Sequence, residues 1–140
     1  MEIIIGVAIG LITAILGRTL KFDQDASFYS VILIVIAFYY VLFSVMSGET
    51  DIVIYELTIA LAFTITAIIG SKISIYIIAV GLIFHGIFDV FHDFILLNEG
   101  VPSWWPGFCA AVDIVLGILV IYFAFNRSNK ALQSTQKSHG

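Results

Sequence analysis

Cys109 is the chain's one cysteine, so a disulfide within the chain is excluded. Proline occurs only at Pro102 and Pro106, so none interrupts a helix before residue 102. Charge is scarce as well, with 11% of residues charged. Lys and Arg total 6 against 10 Asp and Glu, a net charge of −4, and such a balance offers nucleic acid no basic surface. A cleavable signal peptide is not expected. Glu2 stands where a basic region would be, and no small-residue cleavage site follows. HExxH, GxSxG and a Walker loop are all missing, so no motif names a chemistry. Without an internal repeat, an inverted-repeat transporter within one chain is disfavoured.

Hydrophobicity is what the chain has. Of its 140 residues 61% are hydrophobic, and the mean hydropathy is +1.10. That composition belongs to a polytopic membrane protein. Five apolar segments approach the roughly 20 residues that a spanning helix needs. They cover residues 3–20, 28–46, 52–70, 74–97 and 106–125, with short polar connectors between them. The expected fold is therefore all-α: a five-helix transmembrane domain over residues 1–125 and a polar cytoplasmic tail over 126–140. Arg18 and Lys21 fall at the first connector, Lys72 at the third, and Arg127, Lys130 and Lys137 in the tail. With five spans all of these lie on one side, and the positive-inside rule then puts the N-terminus outside and the C-terminus inside.

Within the fourth segment, the run Phe84-His85-Gly86-Ile87-Phe88-Asp89-Val90-Phe91-His92-Asp93 carries four ionisable residues. On a helix His85, Asp89, His92 and Asp93 share roughly a quarter of the circumference. Lipid cannot satisfy such a stripe, so it must face protein, water or an ion. Glu56 in the third segment and Asp113 in the fifth are the natural partners. Counting rise per residue from the outer ends puts Asp89 about 12 Å deep, Asp113 about 10 Å, His92 about 8 Å and Glu56 about 6–8 Å, with His85 nearer the midplane. An ionised carboxylate at bilayer depth costs about 2.5–3.5 kcal/mol, and several together repel one another. The group therefore needs a bound metal, shared protons or imidazolium–carboxylate pairs. Interhelical hydrogen bonding without chemistry is the plainer alternative.

His85 and His92 are roughly 10 Å apart along the helix axis, too far to chelate one ion comfortably. The expected ligand set is Asp89, His92 and Asp113, completed by Glu56 or Asp93. His85 then orients a ligand, or joins a two-metal site. Oxygen and nitrogen donors of this kind suit zinc, manganese or iron. Cys109, four residues before Asp113, reads as an apolar filler more readily than as a ligand.

The remaining segments supply packing. Gly6, Gly10 and Ala14 recur at four-residue spacing, which suits close helix approach within the bundle or, alternatively, a homo-oligomer contact. Tyr39 and Tyr40 lie deep enough for one of them to donate to a buried carboxylate. Trp104 and Trp105 suit the membrane–water boundary, and Pro106 suits a first helical turn.

The patterns HGxxDxxHD at His85–Asp93 and VPxWWxxFCxxxDxxxG at Val101–Gly117 resemble a family of small bacterial and fungal integral membrane proteins, a domain of unknown function. Members often read His-His where this chain has His92-Asp93. The resemblance implies that His85, Asp89, His92, Pro102, Trp104, Cys109 and Asp113 form the family's site, and a setting such as a bacterial inner (plasma) membrane. In architecture alone, the chain is similar to intramembrane metal hydrolases of the ceramidase and receptor-like type. Three functions compete. The first is a metal-dependent hydrolase acting on a lipid or small amphipathic substrate, with Glu56 or Asp93 moving protons. The second is a carrier or channel subunit passing protons or cations. The third is an accessory membrane subunit.

Overall fold

Polar punctuation cuts the apolar sequence into helices where composition says it should. The computed structural model describes the backbone of residues 1–138, with side chains for residues 1–130 and 133. Helix α1 spans Glu2–Thr19, α2 Ala26–Ser47, α3 Thr50–Ile73, α4 Ile75–Ile95 and α5 Trp105–Ser138, with a short 3-10 turn at Phe22–Gln24. Five helices are long and apolar enough to cross a membrane. The polar residues after 125 continue α5 rather than ending it.

Side chains cap the starts of α2 and α4. Asp25 accepts from the Ser27 backbone N–H at 2.8 Å and caps α2. This hydrogen bond holds the exposed Asp25 carboxyl below its ordinary range. Ser74 alone separates α3 from α4, and its hydroxyl accepts from Tyr76 N–H at 3.3 Å. Gly48, with φ of 80°, ends α2 in the left-handed conformation that glycine adopts freely.

Successive helices run antiparallel, α2 against α3, α3 against α4 and α4 against α5. Helix α1 returns to pack along α5. The stripe Gly6, Gly10, Ala14 is buried there. A side chain at Gly6 would strike the Phe108 carbonyl and the Ala111 methyl, and one at Gly10 the Val112 carbonyl and Val115. The stripe is thus used inside the bundle.

The α4–α5 crossing is equally close. Gly86 faces Ala110, Asp113 and Ile114, while Gly117 faces Ala79 and Ile83. Missing side chains at both positions bring the backbones together, and so fix how far along α4 each residue of α5 lies. Leu33, Ile78, Leu82, Leu116 and Val120 fill the core towards the opposite end. There Arg18 and Arg127 both reach Asp23, at 2.8 and 2.9 Å, and tie α1 to α5.

Candidate metal centre and its polar surroundings

Glu56, His85, Asp89, His92 and Asp113 are all buried, 1% exposed or less. They form two clusters. In the deeper one, His85 Nδ1 donates to Asp113 Oδ2 at 2.7 Å and lies 3.4 Å from Asp89 Oδ2. Each of His85, Asp89 and Asp113 offers one ligand atom, and these atoms lie within 4.8 Å of one another. Tyr40 donates its hydroxyl to Asp89 Oδ1 at 2.7 Å. Phe63 closes one side of the imidazole, edge-on with ring centroids 4.8 Å apart. Three buried atoms of this cluster have no hydrogen-bond partner among the described residues: Asp89 Oδ2, Asp113 Oδ1 and His85 Nε2. Unpaired polar atoms in an interior are costly and call for an explanation.

The second cluster is built around His92. Its Nε2 donates to Glu56 Oε1 at 2.8 Å and its Nδ1 faces Asp93 Oδ1 at 3.3 Å. Asp93 itself is 67% exposed, at the bundle's edge. Asn98 Nδ2 donates to the same Glu56 oxygen at 3.0 Å, while Asn98 Oδ1 accepts from Gly100 N–H at 3.1 Å. Tyr40 separates the clusters. Its ring stacks on His92 with centroids 4.1 Å apart, and its hydroxyl serves Asp89.

Helix spacing alone groups His92 with Asp89 and Asp113, and leaves His85 to orient a ligand or to join a two-metal site. The structure has the two histidines the other way round. His85 joins the aspartates, and His92 turns to Glu56 on α3. The cause is the register of α5: the close approach at Gly86 seats Asp113 beside His85 rather than about two turns nearer the end, beside His92. Of the two proposed proton carriers, Glu56 belongs to the His92 cluster and Asp93 to the surface.

Asn98 was missed by sequence reading, because an asparagine in a polar connector looks solvated. The signal was the Asn-Glu-Gly triplet, whose Asx turn uses the side-chain oxygen and leaves the amide nitrogen free to point inward. Cys109 is buried and lines an apolar groove of about 700 Å³ with Ile5, Ile36, Tyr39, Trp105 and Phe108. Trp105 packs against Tyr39 and Phe43. Arg18, Lys21, Lys72, Arg127 and Lys130 all lie towards the other end of the bundle, so no Lys or Arg pairs with the acids of these two clusters among the described residues.

Among the described residues, five helices long and apolar enough to cross a membrane surround a buried His/Asp/Asp group in an all-α fold. The chain belongs to DUF6010, a family of unknown function whose model matches residues 1–128. No curated protein and no solved structure matches it.

Proposed function

We propose that this is an integral membrane protein in which His85, Asp89 and Asp113 hold a divalent metal ion. One observation carries the reading: three donors from two helices converge within 4.8 Å, and Asp89 Oδ2 and Asp113 Oδ1 are buried there without a partner. Ligand atoms about 2.1 Å from a tetrahedral ion stand about 3.4 Å from one another, the distance between His85 Nδ1 and Asp89 Oδ2, while the 2.7 Å to Asp113 Oδ2 is a hydrogen bond that an ion would open. The proton on Nδ1 and the ion compete for the same place, so binding releases a proton. The donor set suits zinc, manganese or iron.

Bound there, such an ion would supply Lewis-acid activation of a water for attack on an ester or amide. Tyr40 fixes the orientation of Asp89, and Phe63 that of His85. The apolar groove beside Cys109, one helical turn before Asp113, suits the chain of an amphipathic substrate. In this reading the cluster lies in the outer half of the bilayer, with the N-terminus outside and the basic end cytoplasmic.

Elemental analysis of the purified protein tests the metal. About one ion per chain in the wild type, lost in Asp89→Ala and Asp113→Ala, is the expected result. Absence of metal from wild type purified without chelator, and unable to take it up, overturns the reading. Release of fatty acid from a panel of lipid esters and amides, abolished in the same variants, tests the hydrolase.

A second reading has its own observation. His92 faces the exposed Asp93 with one ring nitrogen and the buried Glu56 with the other, an arrangement suited to carrying protons inward. Proton flux into liposomes that is lost in His92→Phe, with metal content unchanged, would favour it.

A further inference from the structure

At the end of the bundle opposite the buried acids lies a second built site. Asp23 is buried and accepts from Arg18 Nη1 and from Arg127 Nη2, while the Arg127 Nη2 also donates to the Asp23 carbonyl at 3.1 Å. These bonds use few of the five N–H donors each guanidinium carries. Both arginine side chains stay partly exposed, 39% for Arg18 and 45% for Arg127. Lys21 sits beside them at the turn, held in the left-handed region with φ of 62°. Together Arg18, Lys21, Gln24 and Arg127 surround a polar recess of about 610 Å³ over Asp23, three cations against one carboxylate.

That recess does not end at the arginines. Asp23 and Arg127 also line an adjoining apolar cleft of about 370 Å³, walled by Tyr29, Ile75, Val120 and Phe123. Tyr29 is 1% exposed, and its hydroxyl has no hydrogen-bond partner. A cationic recess opening into an apolar cleft with an unused hydroxyl donor is complementary to an anionic amphiphile. Phosphate matches the guanidinium forks, and a chain matches the cleft. The position, at the C-terminal end of α1 and just past the apolar stretch of α5, suits the headgroup layer of a bilayer.

We propose that this end binds one anionic phospholipid, its phosphate on Arg18, Lys21 and Arg127 and the start of an acyl chain in the cleft, where Tyr29 donates to an ester carbonyl. Asp23 holds the two guanidinium groups in place. Because Asp23 already binds both arginines, the arginines alone have a structural role that requires no ligand. Lys21 decides between the two, since it makes no ion pair among the described residues.

The test titrates dioleoylphosphatidylglycerol or dioleoylphosphatidylcholine into the purified full chain in detergent and counts bound lipid by native mass spectrometry. Phosphatidylglycerol binds more tightly than phosphatidylcholine. Lys21→Gln weakens it about fivefold without lowering the melting temperature, and Tyr29→Phe also weakens it. Arg127→Gln weakens it further but loosens the bundle too, so it serves only as the second variant. Equal binding of the two lipids, or no change in Lys21→Gln, overturns the proposal. Inorganic phosphate that competes as strongly as the lipid also overturns it, and assigns the recess to a free anion instead.

Discussion

Tyr40 touches both buried clusters at once, its hydroxyl 2.7 Å from Asp89 Oδ1 and its ring stacked on His92 at 4.1 Å. Among the described residues Asp89 Oδ2 has no hydrogen-bond partner, so this hydroxyl is the one hydrogen bond found there for its carboxylate. Tyr40→Phe keeps the stacking and removes the bond. The variant should lose about 1–3 kcal/mol in detergent denaturation. Metal affinity should fall by about tenfold or more, because the ligand loses the partner that orients it. An unchanged affinity would place Asp89 outside the metal's ligands.

Metal binding should appear as stability. An ion that binds only the folded bundle adds about 2.7 kcal/mol at a concentration one hundred times its dissociation constant. Zinc or manganese should therefore raise the melting temperature of the wild type and leave Asp113→Asn unmoved. Asp113→Asn keeps the side chain's shape but not its charge, so it separates metal loss from misfolding. A shift that survives in the variant would put the ion elsewhere.

Gly86 should be intolerant for a reason that can be measured in the site. A methyl there comes within 2.9 Å of Ile114 Cγ1 and 3.1 Å of the Ala110 carbonyl, and 3.3 Å from Asp113 Cβ. Backbone cannot give way cheaply, so Gly86→Ala should cost about 1–3 kcal/mol and move Asp113 off His85. Metal stoichiometry should drop with it. Gly107→Ala is the control: its nearest neighbour is Glu2 Cγ at 3.5 Å, an ordinary contact, and the change should stay within about 0.5 kcal/mol.

The helices were legible because the apolar runs are long, and polar residues such as Asp25, Gly48 and Ser74 cut them visibly. The stripe from His85 to Asp93 was legible for the same reason: ionisable groups have no other business in a span. What composition could not give was register. Rise per residue sets the depth of Asp113 to within about a turn but says nothing of the slide between helices, and His85 and His92 stand about two turns apart on α4. The crossing at Gly86 and Gly117 decides which of the two Asp113 meets, and small residues announce close approach without saying opposite what. Asp23 escaped notice because its two arginines come from opposite ends of the sequence, Arg18 and Arg127. Asn98 escaped because turn chemistry and interior hydrogen bonding use different atoms of one side chain.

The division into two clusters is itself testable through Asn98. Glu56 Oε1 receives Asn98 Nδ2 at 3.0 Å and His92 Nε2 at 2.8 Å, while Glu56 Oε2 receives nothing. Hydrogen bonds to a charged group are worth about 1.5–3 kcal/mol, so Asn98→Ala should destabilise the chain by about that much. Much of the loss should vanish when Glu56 is already Gln, giving a coupling of about 1 kcal/mol in the double-mutant cycle. Metal content should not change in Asn98→Ala, in Glu56→Gln or in the double variant, because neither residue touches His85, Asp89 or Asp113. Should Glu56→Gln lose its metal, the ion would instead be held around His92, on the ligand set that helix spacing alone suggests, and Tyr40 would have to swing aside to let the clusters merge.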